Sequence, residues 1–189
     1  MSLNNRNYKL KIMKSKRKTI ALQIESSDSV VVRAPYRMSI NDIEKFIDKH
    51  KVWLDKHLIK MREIEKLSEK ERKYTDAEIR QLAESACTVI SERVRHYAPL
   101  VGVDYGNITI RNQKTRWGSC TAKGNLNFNV ALMRAPIEIM DYVVVHELCH
   151  ILELNHSDRF WKEVERVMPE YKTYEKWLKD HVYLIKSFT

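Results

Sequence analysis

The chain has 189 residues, 43% of them hydrophobic, with only 4 Gly and 4 Pro; this allows one good core, or one modest core plus a small accessory module, and excludes long low-complexity tracts. The formal charge of +9 is carried by the N-terminal part, since residues 1–74 hold 19 Lys+Arg against 10 Asp+Glu while residues 75–189 hold 15 against 15. No apolar stretch is long enough to cross a bilayer and the first residues lack the apolar block of a secretory signal, so no membrane partner and a cytoplasmic location are expected.

In chain order, Tyr8, Leu10 and Ile12 alternate with Lys9 and Lys11, and the same period of two returns at Ile20, Leu22 and Ile24 and at Val30 and Val32. Three short antiparallel strands are expected, with Lys14-Ser15-Lys16-Arg17-Lys18 at the first hairpin tip and Ser26-Ser27-Asp28 at the second. Ser39 then caps a helix whose apolar residues Ile43, Phe46, Ile47, Trp53, Leu54, Leu58 and Met61 recur at helical spacing. Residues 1–66 therefore read as a β-sheet and helix unit. Its basic surplus suggests an acidic partner, of which nucleic acid is the commonest.

A charged run over residues 63–73 separates this unit from a helical pattern through Ile79, Leu82, Ala83, Ala86, Val89, Ile90, Val94 and Tyr97 that ends near Pro99. A larger domain, residues 75–189, starts here. Short β-like runs follow at residues 108–111, 115–120 and 125–132, with a turn around Lys123-Gly124. Pro136 opens a helix to about Leu154, and amphipathic segments over 160–168 and 171–185 close the chain. Helix, short antiparallel sheet, buried helix and further helices make an α+β fold. Cys87, Cys120 and Cys149 are odd in number and widely spaced, and read as buried free thiols rather than a disulfide framework.

The buried helix carries His146-Glu147-Leu148-Cys149-His150, an HExxH pattern. Residues four apart share a helix face, so two imidazoles can converge on one ion, and Glu147 stands one position round, able to take a proton from a metal-bound water without being a ligand. His156 supplies a third histidine. With 7 His in the chain, this longer pattern arises by chance in on the order of one chain in a thousand. The competing reading, ordinary core or surface histidines, leaves several polar groups buried beside Val143-Val144-Val145 without partners. Zinc satisfies them together, and with no Cys pair at finger spacing its fourth position stays open; Cys149, next to His150, reads as core. Tyr171, Tyr174 and Arg116 are possible oxyanion donors by residue type, and Ser157 or Asp158 caps the following helix.

Arg116-Trp117-Gly118-Ser119-Cys120, the stretch from Asp141 through His150, Asn155-His156-Ser157 and Phe160-Trp161 together resemble the YgjP-like metallopeptidase family, relatives of the SprT and Spartan proteases. Arg17-Lys18-Thr19-Ile20 and Val32-Arg33-Ala34-Pro35 match as well, so the resemblance covers most of the chain. It implies a minimal zincin-like domain, gluzincin-like or metzincin-like, with His146, His150 and His156 as ligands and Glu147 as base. It also implies that the strand through residues 125–132 runs beside the cleft, where an extended peptide can add as a further strand. The sequence departs from the commoner family form at Val130 and Ala131, which stand in place of an aromatic and a basic residue, so different substrate contacts are expected there. The Spartan relatives act on proteins crosslinked to DNA, a role the basic N-terminal unit suits by analogy.

The function expected from these residues is zinc-dependent cleavage of a peptide or protein substrate, with nucleic acid as a further partner of the basic unit. Two alternatives stay open: a zinc hydrolase of a nucleotide phosphoanhydride, whose substrate the basic surface would gather, and a nucleic-acid-binding module with a non-catalytic zinc site.

Overall fold

Val30, Val31 and Val32 are fully buried, and their strand takes the middle of a three-stranded sheet in a computed structural model that describes residues 7–188. The strands are β1 (Lys9–Ser15), β2 (Ala21–Ser26) and β3 (Ser29–Pro35), in the order β1-β3-β2. β2 pairs with β3 antiparallel, but β1 pairs with β3 parallel. The expected all-antiparallel arrangement is therefore corrected, and the basic segment 14–18 carries the chain from one edge strand to the other instead of tipping a hairpin. The physical reason lies in β3. A strand bonded on both edges and covered on both faces reads as a continuous apolar run, while alternation tells only which way side chains face, not which strands are neighbours.

Ser39 accepts a hydrogen bond from the Asp42 amide and so starts α1 (Ile40–Lys49). The chain then turns at His50, whose backbone is no longer helical, and enters α2 (Lys51–Lys70). The single helix expected here is thus two, and α2 continues into the charged run. Ile43, Ile47, Leu54 and Leu58 close against Val30, Val32 and Ala34. Chain contacts group into two compact units, Met1–Leu67 and Ser68–Thr189.

The second unit begins with α3 (Asp76–Val101), held at its start by a reciprocal capping box between Thr75 and Glu78. Pro99 does not end this helix; Gly102 does, at φ 85°, a backbone glycine adopts without a Cβ penalty. The second sheet comprises β4 (Ile108–Arg111), β5 (Gly118–Cys120) and β6 (Leu126–Asn129), in the order β4-β6-β5. It too is mixed, with β4 parallel and β5 antiparallel to β6. β6 stops at Asn129, whose side chain accepts the Ala131 amide and turns the chain into a 3-10 segment, Val130–Arg134. With a partner on each side β6 has no free edge on which a peptide could add along the run 125–132; the free edges of this sheet belong to β4 and β5.

Pro136 caps α4 (Ile137–Leu152), which buries ten consecutive or near-consecutive residues, among them Val143, Val144, Val145, Leu148 and Cys149. α5 (Asp158–Val167), α6 (Tyr171–Asp180) and the short α7 (Tyr183–Lys186) follow. Val130 and Ala131 are fully buried against Ile185 and Phe188, so they make core contacts and not the substrate contacts expected of that position. Of the cysteines only Cys149 is buried; Cys120 is half-buried and Cys87 exposed. Among the described residues, no helix is long and apolar enough to cross a membrane.

A charged clamp joins α3 to α4. Arg93 donates from Nε and a terminal nitrogen to the two carboxylate oxygens of buried Asp141 at 2.5 and 2.6 Å, and the Tyr97 hydroxyl donates to the same carboxylate at 3.1 Å. Removing one side of such a pair leaves its partner uncompensated in a low dielectric. Asp141→Ala is expected to lower unfolding stability by about 3 kcal/mol in urea titrations, and an unchanged midpoint would show the clamp to be idle.

Candidate metal centre

His146 and His150 project from one face of α4, with ring centroids 4.9 Å apart. At Glu153 the backbone becomes extended and the helix ends, and the chain doubles back to bring the exposed His156 within 5.0 Å of His146 and 4.7 Å of His150, ring to ring. The three rings form a nearly equilateral triangle. Ser157 then accepts the Phe160 amide and starts α5, which drives Phe160 beneath the rings. Phe160 is fully buried and lies 4.9, 4.5 and 4.8 Å from His146, His150 and His156 respectively. Trp161 stacks on His156 from the side, and Tyr142, one turn before His146, meets that ring edge-on.

The donor set suits a metal cation. Among the described residues, His146, His150 and His156 form the group able to hold one, their ligating nitrogens all within 4.8 Å of one another. His146 Nε2 and His156 Nε2 face each other at 3.0 Å; two nitrogens at zinc's bonding distance, tetrahedrally disposed, stand about 3.3 Å apart. His150 Nδ1 lies 3.1 Å from the Glu153 carbonyl. That nitrogen therefore carries the proton and leaves Nε2 with its lone pair for a metal. Cys149 lies in the core, outside this group, where burial first and Glu163 second push its thiol up to about 12.

Beside the triangle, Glu147 is 5% exposed, and neither its Oε2 nor His146 Nδ1 has a hydrogen-bond partner. Burial raises the Glu147 carboxyl to about 8, against the pull of Arg116 and the Cys120 backbone. Burial, helped by the neighbouring His150 and His156, lowers His146 to about 3. Both groups are thus held neutral by an apolar site. A divalent cation favours neutral imidazole and ionised carboxylate together, which is the pairing a metal centre needs.

Of the oxyanion candidates, Arg116 acts electrostatically on Glu147. Tyr171 is buried and stacked on Trp161, with centroids 5.2 Å apart, and Tyr174 sits on α6 against Tyr142. Sequence reasoning missed the roles of Phe160 as floor and of Gly118, whose strand lies against Glu147. The spacing of four between His156 and Phe160 was the available signal for the first; nothing local marked the second.

The YgjP-like metallopeptidase domain model matches residues 18–82 and 68–181 of this sequence. The chain belongs to the YgjP-like metallopeptidase family. As a YgjP-like metallopeptidase it is an enzyme, a hydrolase, and membership implies a catalytic metal and a peptide or protein substrate. Curated proteins yield no match. Among solved structures, it is similar to the metallopeptidase zymogen of Pyrococcus abyssi abylysin, at 27% identity over 47% of this chain and 90% of that one, TM-score 0.45. It is also similar to the metallopeptidase zymogen of Methanocaldococcus jannaschii jannalysin, at 23% identity over 47% and 92%, TM-score 0.42.

The pH dependence of the metal-free YgjP-like chain follows from these shifts. With its folded pKa raised from 4.5 to about 8, Glu147 contributes stability that is complete below pH 4.5 and lost as pH rises through 8. His146, lowered from 6.5 to about 3, contributes stability that is complete above pH 6.5 and lost as pH falls through 3. With metal chelated, Glu147→Gln is expected to gain on wild type in urea midpoint between about pH 5 and pH 8. A difference that stays constant across that range would contradict the burial of the carboxyl.

Proposed function

We propose that the chain is a zinc metallopeptidase in which His146, His150 and His156 hold the metal and Glu147 is the general base. The observation that carries this reading is the triangle of imidazoles over Phe160 with a buried carboxylate beside it whose Oε2 has no hydrogen-bond partner. When bound, zinc supplies a Lewis acid that acidifies water and polarises a carbonyl. Glu147 accepts a proton from the attacking water, holds it in its low-dielectric setting, and delivers it to the departing amine. His150 keeps its ring oriented through the Glu153 carbonyl, and Phe160 prevents the three rings from turning away from one another. The substrate is an extended peptide laid along the free edge of β5, which lies next to Glu147.

An expected outcome separates ligand from base. Glu147→Gln should retain stoichiometric zinc and lose cleavage of a quenched-fluorescent peptide library by about 10²- to 10⁴-fold, whereas His150→Ala should lose the zinc itself by elemental analysis. Undiminished cleavage by Glu147→Gln, or undiminished zinc in His150→Ala, would overturn the assignment of the residue concerned.

A further inference from the structure

Within β5, Gly118 is the residue whose place against α4 depends on having no side chain. A Cβ at Gly118 would stand 2.7 Å from Glu147 Oε1, 2.9 Å from its Cγ and 3.0 Å from its Cδ, where carbon contacts ordinarily settle at about 3.5–4.0 Å. All three atoms belong to one side chain, that of the carboxylate next to the histidine triangle. Backbone conformation does not explain the glycine. Left-handed φ among the described residues belongs to Gly102 and Gly124, so Gly118 answers a demand for space, and Glu147 fills that space.

The strand has little freedom to yield. Asn129, fully buried at the end of β6, donates from Nδ2 to the carbonyls of Gln113 and Arg116, both at 2.7 Å, while its Oδ1 accepts the Ala131 amide. These bonds anchor the loop that enters β5. On the other side α4 is packed through Val144, Val145 and Leu148 in the core. An atom added at position 118 therefore meets two fixed walls and one rotatable carboxylate. The ladder also aims the neighbouring amide. Thr121 donates to the Asn125 carbonyl and Asn129 to the Trp117 carbonyl, so the residues between them, Gly118 and Cys120, turn their amides away from β6.

We propose that Gly118 positions the Glu147 carboxylate for proton transfer, so that β5 sets the place of the base. Gly118 is a positioning residue, acting through Glu147, and the proposal rests on the reading of Glu147 as general base.

The test uses the full chain as wild type, Gly118→Ala, Glu147→Gln and both together. Each is loaded with zinc for cleavage of a peptide selected from the quenched-fluorescent library, and with cobalt(II) alone for visible absorption, which reports the immediate surroundings of the ion without any substrate. Gly118→Ala is expected to bind metal with wild-type stoichiometry and to melt within a few degrees of wild type. Its kcat should fall about 10²-fold, as for a catalytic group displaced by about an ångström, with KM little changed. Its cobalt spectrum should shift as that of Glu147→Gln does, and adding Gly118→Ala to Glu147→Gln should cost no further activity.

Wild-type kcat and an unshifted cobalt spectrum in Gly118→Ala, beside an inactive Glu147→Gln, overturn the positioning role and leave the base standing. Wild-type kcat in Glu147→Gln overturns the base itself. A Gly118→Ala chain that unfolds or loses its metal also overturns the proposal, because the added atom then strains the scaffold and not the carboxylate.

Discussion

An ionisable pair, His146 and Glu147, sits in the middle of a helix that the fold buries from Ile139 to Cys149. Taking such groups out of water without partners costs several kcal/mol, and each responds by favouring its neutral form. The rest of the second unit can be understood as what makes this placement tolerable and useful. The clamp of Arg93 and Tyr97 on Asp141 fixes α4 against α3. Phe160 then supplies a rigid aromatic floor on which three imidazoles hold one mutual arrangement without hydrogen bonds to spare.

From that constraint the chemistry follows in order. A helix places two histidines four residues apart; a chain reversal at Glu153 adds the third; β5 closes over the acid. The ligand groups come from α4 and the turn after it, so they form locally, whereas the acid's surroundings come from β5 and the loop that Asn129 secures. This division separates metal binding from base positioning. In the proposed mechanism, substitutions on the β5 side act on reactivity, and substitutions at the triangle act on the ion.

The basic surplus of the first unit has a more modest structural address. Lys9 pairs with Asp28 while both remain exposed, Lys14 donates to the Met38 carbonyl and Arg33 donates to Gln23. Exposed contacts of this kind contribute little to stability, so the charge is a property of the surface and not of the core formed by Val30, Val32 and Ile43.

Helices, two of their caps and the convergence of three histidines were legible in the sequence, because the period that reveals them is the period that builds them. Ser39 and Ser157 cap where their residue types suggest, and His146 and His150 meet because helix geometry brings residues four apart onto one face. Strand order was not legible: β3 between β1 and β2, and β6 between β4 and β5, are settled by which strand can afford burial on both sides. The contact of Gly118 with Glu147, Phe160 under all three rings, and the enclosure of β6 between two edge strands were likewise decisions of the tertiary structure. They join residues far apart in the chain, and no local period encodes which distant surfaces will exclude water from each other.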